Sequence, residues 1–75
     1  MVNNDFIIRT YGRTELALLY SPNLTSQAAW RKLQSWIELN TELSNELYLL
    51  GYDGDKMRSF TPKMVSRIVY HLGVP

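Results

Sequence analysis

Apolar side chains recur with helical spacing in one long segment, which begins after Thr25 or Ser26 and ends near Leu39. Either hydroxyl residue is a suitable N-cap, because its side-chain oxygen accepts a hydrogen bond from a free amide of the first turn. The predicted buried side consists of Ala29, Leu33, Trp36 and Ile37, flanked by Trp30. The opposite, polar side carries Gln27, Arg31, Gln34, Ser35 and Glu38.

A shorter helix is predicted before this segment, from Glu15 to Tyr20. Thr14 is its predicted N-cap, and an acid at position 15 suits the positive end of the helix dipole. The side chains expected to be buried are Leu16, Leu19 and Tyr20. The turn-forming residues Ser21, Pro22 and Asn23 end this helix.

A third helix is predicted from Glu42 to Leu50, after Asn40 or Thr41 as its N-cap. Gly51 fits the position just beyond its end, and Tyr52 is placed to make the apolar contact that often follows such a glycine. The predicted buried residues are Leu43, Leu47 and Leu50.

A fourth helix is predicted from the N-cap Thr61, with Pro62 in its first turn, to Leu72. Gly73 ends it. Its apolar side consists of Val65, Ile68, Val69 and Leu72.

The remaining segments favour little regular structure. Phe6 to Tyr11 is rich in β-branched and aromatic residues, which predicts a short strand or an extended N-terminal arm. Asp53-Gly54 is a hairpin-type turn signal, so a minimal β-hairpin is an option between Asp53 and Phe60, with Met57 to Phe60 as its second arm. The fold class predicted is therefore all-α, a small four-helix domain with a helix-turn-helix-like arrangement.

Composition changes this picture only slightly. The chain has 75 residues, which we interpret as one domain spanning 1–75, and its 45% apolar content is ordinary for a globular fold. It has no cysteine, which excludes disulfides and thiolate metal sites. Met1 to Asp5 lacks the basic region of a signal peptide and no long apolar run follows, so we expect a cytoplasmic protein without a membrane span.

Acidic and basic residues occur in blocks along the chain, although the net charge is only +1. Between positions 38 and 55 every charged residue is acidic, and from position 56 onward every charged residue is basic. A folded form with one basic and one acidic surface is therefore one expectation. The alternative is that these charges only keep the helix faces solvated.

The pattern of titratable residues is not typical of an enzyme. His71 is the one histidine, and no acid follows Asp55, so we interpret it as a solvated residue near a helix end. Glu42 and Glu46 share a helix face, but without a nearby histidine or pocket they are interpreted as a solvated stripe. We expect no catalytic residue and no small-molecule substrate.

Cofactor and metal motifs are also missing from the sequence. Asp53-Gly54-Asp55 lacks the later glutamate of a calcium loop, and ligands at metal-binding spacing are not visible. The glycines do not form a phosphate-binding loop and are interpreted as turn or cap residues: Gly12, Gly51, Gly54 and Gly73. We expect neither cofactor nor metal.

A helix-turn-helix DNA-binding protein is the leading hypothesis, since a short helix, a turn and an amphipathic helix follow one another. The predicted base contacts are Gln27, Arg31, Gln34 and Ser35. The predicted phosphate contacts are Arg13, Lys32, Arg58, Lys63 and Arg67. The hypothesis expects the two basic groups to lie side by side. Two features count against it: a long connection from Ser21 to Thr25, and Glu38 on the same face as Arg31.

A protein-interaction module or homodimer without nucleic-acid binding is the alternative. Two tryptophans and five tyrosines are many large rings for a chain of this length. Rings that stay exposed would indicate a protein interface, because aromatic residues and Arg dominate interface energetics. A homodimer would also enlarge a small core.

An ordered set of positions repeats a known pattern: Tyr11-Gly12, Glu15-Leu16-Ala17, Leu19-Tyr20, Pro22, Ala29, Leu33, Trp36-Ile37, Gly51-Tyr52, Phe60-Thr61-Pro62, Val65, Leu72-Gly73 and Pro75. In these positions the chain resembles a family of short bacterial proteins of unknown function from gut anaerobes. The resemblance implies a free-standing small domain and transfers no catalytic or binding residue. A looser resemblance to excisionase and MerR-type DNA-binding domains rests on Glu15 to Tyr20 and on Trp36-Ile37.

Overall fold

Four α-helices and one very small antiparallel sheet make up the computed structural model, which describes residues 6–75. The helices are α1 (Arg13–Tyr20), α2 (Ser26–Leu39), α3 (Thr41–Leu49) and α4 (Pro62–Leu72). The strands are β1 (Tyr11–Gly12) and β2 (Ser59–Phe60). The mostly helical, four-helix prediction is confirmed. Residues 1–5, on which the signal-peptide argument rests, lie outside the described residues.

Three of the four helices begin where the sequence predicts, each with a side-chain cap. Thr25 accepts a hydrogen bond from the amide of Ala28 (3.2 Å), and Asn40 accepts one from Leu43 (3.0 Å). The hydroxyl of Thr61 accepts one from the amide of Met64 at 3.3 Å. These contacts satisfy first-turn amides that have no partner within the helix.

The start of α1 differs from the prediction. Thr14 lies inside the helix, and Gly12 is the N-cap. The amide of Gly12 donates to the carboxylate of Glu15 (3.0 Å), and the amide of Arg13 donates to the carbonyl of Arg58 (3.1 Å). Because the preceding strand leads directly into the helix, the first helical turn is fixed by sheet pairing and not by the hydroxyl of Thr14.

The predicted local hairpin between Asp53 and Phe60 is wrong. Gly54–Lys56 forms a single 3-10 turn, and Phe60 pairs with Tyr11 across the sheet instead of with a nearby strand. Of the predicted N-terminal strand or arm, Phe6 to Tyr11, only Tyr11 is in β structure, in the two-residue strand Tyr11–Gly12. A turn signal specifies a local bend but not the partner of the strand that follows it, so long-range pairing decided the outcome.

The C-terminus of α3 has the glycine-ended geometry that the sequence predicts. Gly51 has a φ of +107°, a conformation that side chains with a Cβ rarely adopt. The amide of Gly51 donates to the carbonyl of Tyr48 (3.1 Å), and the amide of Tyr52 donates to that of Leu47 (2.8 Å). These two bonds satisfy carbonyls at the helix end and turn Tyr52 into the core.

The core is centred on the ring of Phe60, which is fully buried. Its centroid lies 6.0 Å from that of Trp30 and 6.3 Å from that of Tyr52. The helices add aliphatic side chains that are almost completely buried: Leu16, Leu33, Ile37, Leu43, Leu47, Val65 and Ile68. The chain therefore buries side chains from all four helices and from β2 together.

Several predicted core positions differ from the structure. Trp30, placed beside the buried side of α2, is buried, whereas Trp36 is only partly buried. Leu19 is 45% exposed, and Leu50 is partly buried. A residue on the apolar face of a helix is buried only where a neighbouring element covers that face. For Trp30 the covering elements are β2 and residues 53–58.

Candidate nucleic-acid interface on helix α2

The polar side of α2 forms one wall of an open groove on the protein surface. The groove runs along the first half of the helix, and α1 and the segment 53–58 line its other side. Its lining residues are Arg13, Thr14, Ser26, Gln27, Trp30, Arg31, Gln34 and Asp55. Three of the four predicted base contacts, Gln27, Arg31 and Gln34, are thus brought together in it.

Arg31, a predicted base contact, is exposed at this groove. Within residues 6–75, its guanidinium makes neither a hydrogen bond nor an ion pair, in contrast to those of Arg9, Arg13 and Arg67. A guanidinium carries five donors in a planar fork, so all of them remain available for a ligand.

Arg13 is partly buried and holds the far side of the groove in place. Its Nη1 atom donates to the carbonyl oxygens of Asp55 (2.6 Å) and Met57 (3.0 Å). The guanidinium carbon lies 5.0 Å from the ring centroid of Trp30. The residue was predicted as a phosphate contact, and the structure gives it an additional role in fixing the 53–58 segment.

Asp55 and Trp30 connect the 53–58 segment to α2. The indole nitrogen of Trp30 donates to the carboxylate of Asp55 at 3.3 Å. This contact holds the segment beside the first half of α2, and Arg58, at its end, is exposed. The predicted phosphate contact Arg58 therefore lies on a segment that flanks the groove, next to the backbone of Arg13.

The second half of α2 is electrostatically different from the first. Arg31 and Gln34 share a shallow depression there with Ser35, Glu38 and Leu39. The exposed carboxylate of Glu38 adds negative charge beside Ser35, the fourth predicted base contact. Ser35 is thus less well placed than the other three to face a polyanion.

Lys32 is exposed on the flank of α2. Its ammonium lies 5.3 Å from the ring centroid of the partly buried Trp36, a distance typical of a cation–π contact. The charge is near the surface and remains available to a phosphate.

Lys63 and Arg67 do not join this groove. They line a separate depression with Glu46, Leu49 and Leu50, between α3 and α4. The guanidinium of Arg67 donates to both carboxylate oxygens of Glu46, at 2.7 and 3.3 Å. This ion pair holds the pKa of the Glu46 carboxyl below its ordinary value. The two basic groups line separate depressions, so the continuous strip of positive charge on which the DNA hypothesis depended is not formed, and that expectation is wrong.

A model of a protein family matches residues 7–75, nearly the whole chain. The chain belongs to the family described as a domain of unknown function, DUF4248. This confirms the predicted membership of a family without an assigned function. For this DUF4248 chain, searches of curated proteins and of solved structures gave no match.

This DUF4248 chain shows few other candidate catalytic or metal-binding groups within the described residues. The interpretation of His71 as a solvated residue is wrong: its side chain is 9% exposed, and its Nε2 atom lies 3.3 Å from the carboxylate of Glu46, which is therefore not part of a purely solvated stripe. No group of three or more potential ligands is placed to hold a metal ion in residues 6–75. Over the same residues, the helices are too short or too polar to cross a bilayer.

Sequence reasoning missed part of the groove. Trp30 and Asp55 line it and set its shape, yet they are 25 residues apart in sequence and are joined by one hydrogen bond. The hydrophobic pattern placed Trp30 near the core but gave no signal for its polar partner. Only the packed structure identifies Asp55 as part of the site.

Proposed function

We propose that this protein binds double-stranded DNA without catalysing a reaction, and that α2 is the helix that enters the major groove. The observation that carries the proposal is Arg31, an exposed arginine that makes no hydrogen bond or ion pair within residues 6–75, beside Gln27 and Gln34 in the same groove. Arg pairs with the O6 and N7 atoms of guanine, and Gln pairs with the N6 and N7 atoms of adenine.

The order and packing of the first two helices support a helix-turn-helix role. The short α1 packs against α2, and residues 21–25 connect them. In helix-turn-helix proteins the first helix crosses the backbone and supports the second, whose N-terminal residues contact base edges. The connection from Ser21 to Thr25 is longer than the turn of the standard motif.

Phosphate contacts are proposed for the residues around the groove. Arg58, on the 53–58 segment, is exposed beside the groove, and Lys32 is exposed on the opposite flank of α2, against Trp36. Arg13 keeps a positive charge at the groove, although its Nη1 donors are used internally. Contacts of this kind fix orientation and carry no sequence information.

The acidic residues restrict how DNA would lie on the protein. Glu38 follows Arg31 by seven positions, a distance of ~10 Å along the helix axis. Glu38 nevertheless shares a depression with Arg31 and Gln34, so its carboxylate opposes a duplex that contacts those two side chains. Asp55 lies in the groove itself, and its carboxylate accepts the hydrogen bond from Trp30. The proposed footprint therefore excludes Lys63 and Arg67, which face α3.

The decisive experiment is a fluorescence-anisotropy titration with a labelled duplex of random sequence, repeated at several salt concentrations. Each phosphate neutralised contributes a slope of about −0.9 to the dependence of log K on log salt. Contacts from Lys32, Arg58 and Arg13 therefore predict a slope of about −3. Absence of binding even at low salt would overturn the proposal.

Two variants with the same change in charge locate the interface. On the random-sequence duplex, Arg31→Ala is expected to weaken binding and to make the salt slope shallower by about 0.9, because one cation facing the duplex is lost. The control is Arg9→Ala, because Arg9 is exposed and pairs with Glu15 on the N-terminal arm, away from α2. Equal losses in both variants would point to unspecific charge attraction and contradict the assignment to α2.

A further inference from the structure

Three polar side chains form a single row along α2. Gln27, Arg31 and Gln34 follow the spacing i, i+4, i+7, which places side chains one above another on one helix face. All three line the open groove beside α2. We call these three residues the α2 row.

The α2 row is mounted on a well-packed helix. Thr25 caps α2 two residues before Gln27, and Leu33 and Ile37 on the other side of the helix are almost fully buried. Side chains on a packed helix start from fixed backbone positions, in contrast to side chains on a loop. The helix therefore sets the separation between Gln27 and Gln34 at ~10 Å along its axis.

The hydrogen-bonding groups of the α2 row are available to a ligand. Gln27 and Arg31 are exposed and Gln34 is half-buried. Within residues 6–75, none of the three side chains makes a hydrogen bond or an ion pair with another part of the protein. A glutamine amide both donates and accepts, whereas a guanidinium only donates. The row therefore presents a pure donor between two groups that donate and accept.

This chemical order matches one order of bases in the major groove. Adenine presents an acceptor, N7, beside a donor, N6, and a glutamine amide pairs with both. Guanine presents two acceptors, N7 and O6, and these pair with a guanidinium. Cytosine presents an amino donor, which cannot pair with a second donor. Read along α2, the row therefore corresponds to adenine, guanine and adenine.

The length of the α2 row is suited to three neighbouring bases. Bases of one strand are roughly 3.4 Å apart along the duplex axis. In zinc fingers, three side chains spread over two helical turns contact three successive bases, principally on one strand. The order adenine, guanine, adenine is the same in both directions, so the assignment does not depend on which way α2 points along the groove.

We infer that this protein prefers duplex DNA with the triplet AGA on one strand. Arg31 pairs with the central guanine, and Gln27 and Gln34 pair with the outer adenines. The inference rests on the proposed DNA binding and adds a sequence preference to it. A wrong base at one of these bidentate contacts is expected to weaken binding about fivefold or more.

Glu38 affects the strength of binding but not the preferred triplet. It follows Gln34 by four positions and shares a depression with Arg31 and Gln34. Its carboxylate has the same sign of charge as the phosphates, which are present in every duplex. Glu38→Gln is therefore expected to strengthen binding to all duplexes and to leave their order of affinity unchanged. A changed order would contradict the assignment of the triplet to the α2 row.

The test is a fluorescence-anisotropy competition among duplexes that share their length and flanks and differ only in the triplet, which is AGA, AAA or ACA. The natural sequence is expected to bind AGA about fivefold or more tightly than the other two. Equal, salt-dependent binding to all three overturns this inference and leaves the proposed DNA binding intact. Absence of binding to every duplex overturns both.

A change of specificity tests the role of Arg31. Arg31→Gln is expected to bind AAA more tightly than AGA, since an amide then faces the central base. The control Arg9→Gln removes the same charge from the N-terminal arm and is expected to keep the preference for AGA. A retained preference for AGA in Arg31→Gln would contradict the inference, and circular dichroism verifies that both variants fold.

The two glutamines are tested at the outer positions with the triplets GGA and AGG. Gln27→Ala and Gln34→Ala are each expected to lose the discrimination between adenine and guanine at one outer position, and the position is expected to differ between them. Loss at the same position in both variants, or at neither position, would overturn the assignment of the outer adenines.

Discussion

The guanidinium of Arg13, in the first turn of α1, donates a 2.6 Å hydrogen bond to the backbone carbonyl of Asp55, 42 residues later in the chain. A second bond from the same nitrogen reaches the carbonyl of Met57. These carbonyls belong to an irregular segment that is not hydrogen-bonded within a sheet. Arg13 therefore donates the hydrogen bonds that backbone amides would donate in a helix or a sheet. The relationship joins α1, the 53–58 segment and the groove beside α2.

Removal of this arginine should lower stability. We expect Arg13→Ala to reduce the free energy of unfolding by about 1–2 kcal/mol, since two hydrogen bonds from a charged donor are lost. Urea denaturation followed by tryptophan fluorescence measures the change. Arg31→Ala, which removes an exposed arginine without internal bonds, should stay within about 0.5 kcal/mol of the natural sequence. Comparable losses would contradict the role given to Arg13.

Two glycines provide a test of the backbone at the ends of helices. Gly51→Ala should destabilise the fold by about 1–3 kcal/mol, because its φ of +107° is strained for a residue with a Cβ. Gly12→Ala should change stability by less than about 0.5 kcal/mol, since its φ is −62° and the added Cβ meets Glu15 only at 3.8 Å. Thermal unfolding of both variants measures the two changes in stability. A Gly51→Ala variant as stable as the natural sequence would contradict the glycine-ended geometry assigned to α3.

The hydroxyl groups of Tyr52 and Tyr20 are expected to have opposite effects on the stability of the fold. Burial raises the pKa of Tyr52 to about 12, and its buried hydroxyl has no hydrogen-bond partner among residues 6–75. Tyr52→Phe should therefore stabilise the protein by about 1 kcal/mol. Tyr20→Phe should destabilise it by a similar ~1 kcal/mol, because the hydroxyl of Tyr20 donates to the carbonyl of Gly73 at 2.6 Å. Denaturant titration of both variants gives the sign of each change in the free energy of unfolding.

Acid sensitivity should depend on Glu46. The hydrogen bonds from Arg67 lower the pKa of the Glu46 carboxyl below its ordinary value of 4.5. A carboxyl with a lower pKa in the folded state contributes stability above 4.5, and that contribution disappears as the pH falls through the folded-state pKa. Glu46→Gln should therefore be less stable than the natural sequence near neutral pH, and the difference should vanish in acid.

The measurement is unfolding by urea at a series of pH values from about pH 7 down into the range below 4.5, where the Glu46 carboxyl of the folded protein gains its proton. Glu38→Gln is the control, because the carboxylate of Glu38 makes no ion pair or hydrogen bond within residues 6–75. It should reproduce the pH dependence of the natural sequence. If the stability of Glu46→Gln depends on pH in the same way as that of the natural sequence, the ion pair of Glu46 with Arg67 does not contribute the stability assigned to it.

Local sequence signals determined the helices. The hydroxyl or amide caps at Thr25, Asn40 and Thr61 were predicted because capping is a short-range interaction between a side chain and an amide three residues later. The glycine end of α3 was predicted for the same reason, since a positive φ is a property of one residue. The polar side of α2 followed from periodicity alone.

Tertiary structure decided what those elements contact. The pairing of Tyr11 with Phe60, the burial of Trp30 instead of Trp36, and the presence of Asp55 in the groove all join residues far apart in the chain. The same holds for the ion pair that turns Arg67 toward Glu46. Periodicity states which face of a helix is apolar, but the neighbour that covers the face is selected by the packing of the whole chain, and no local pattern contains that information.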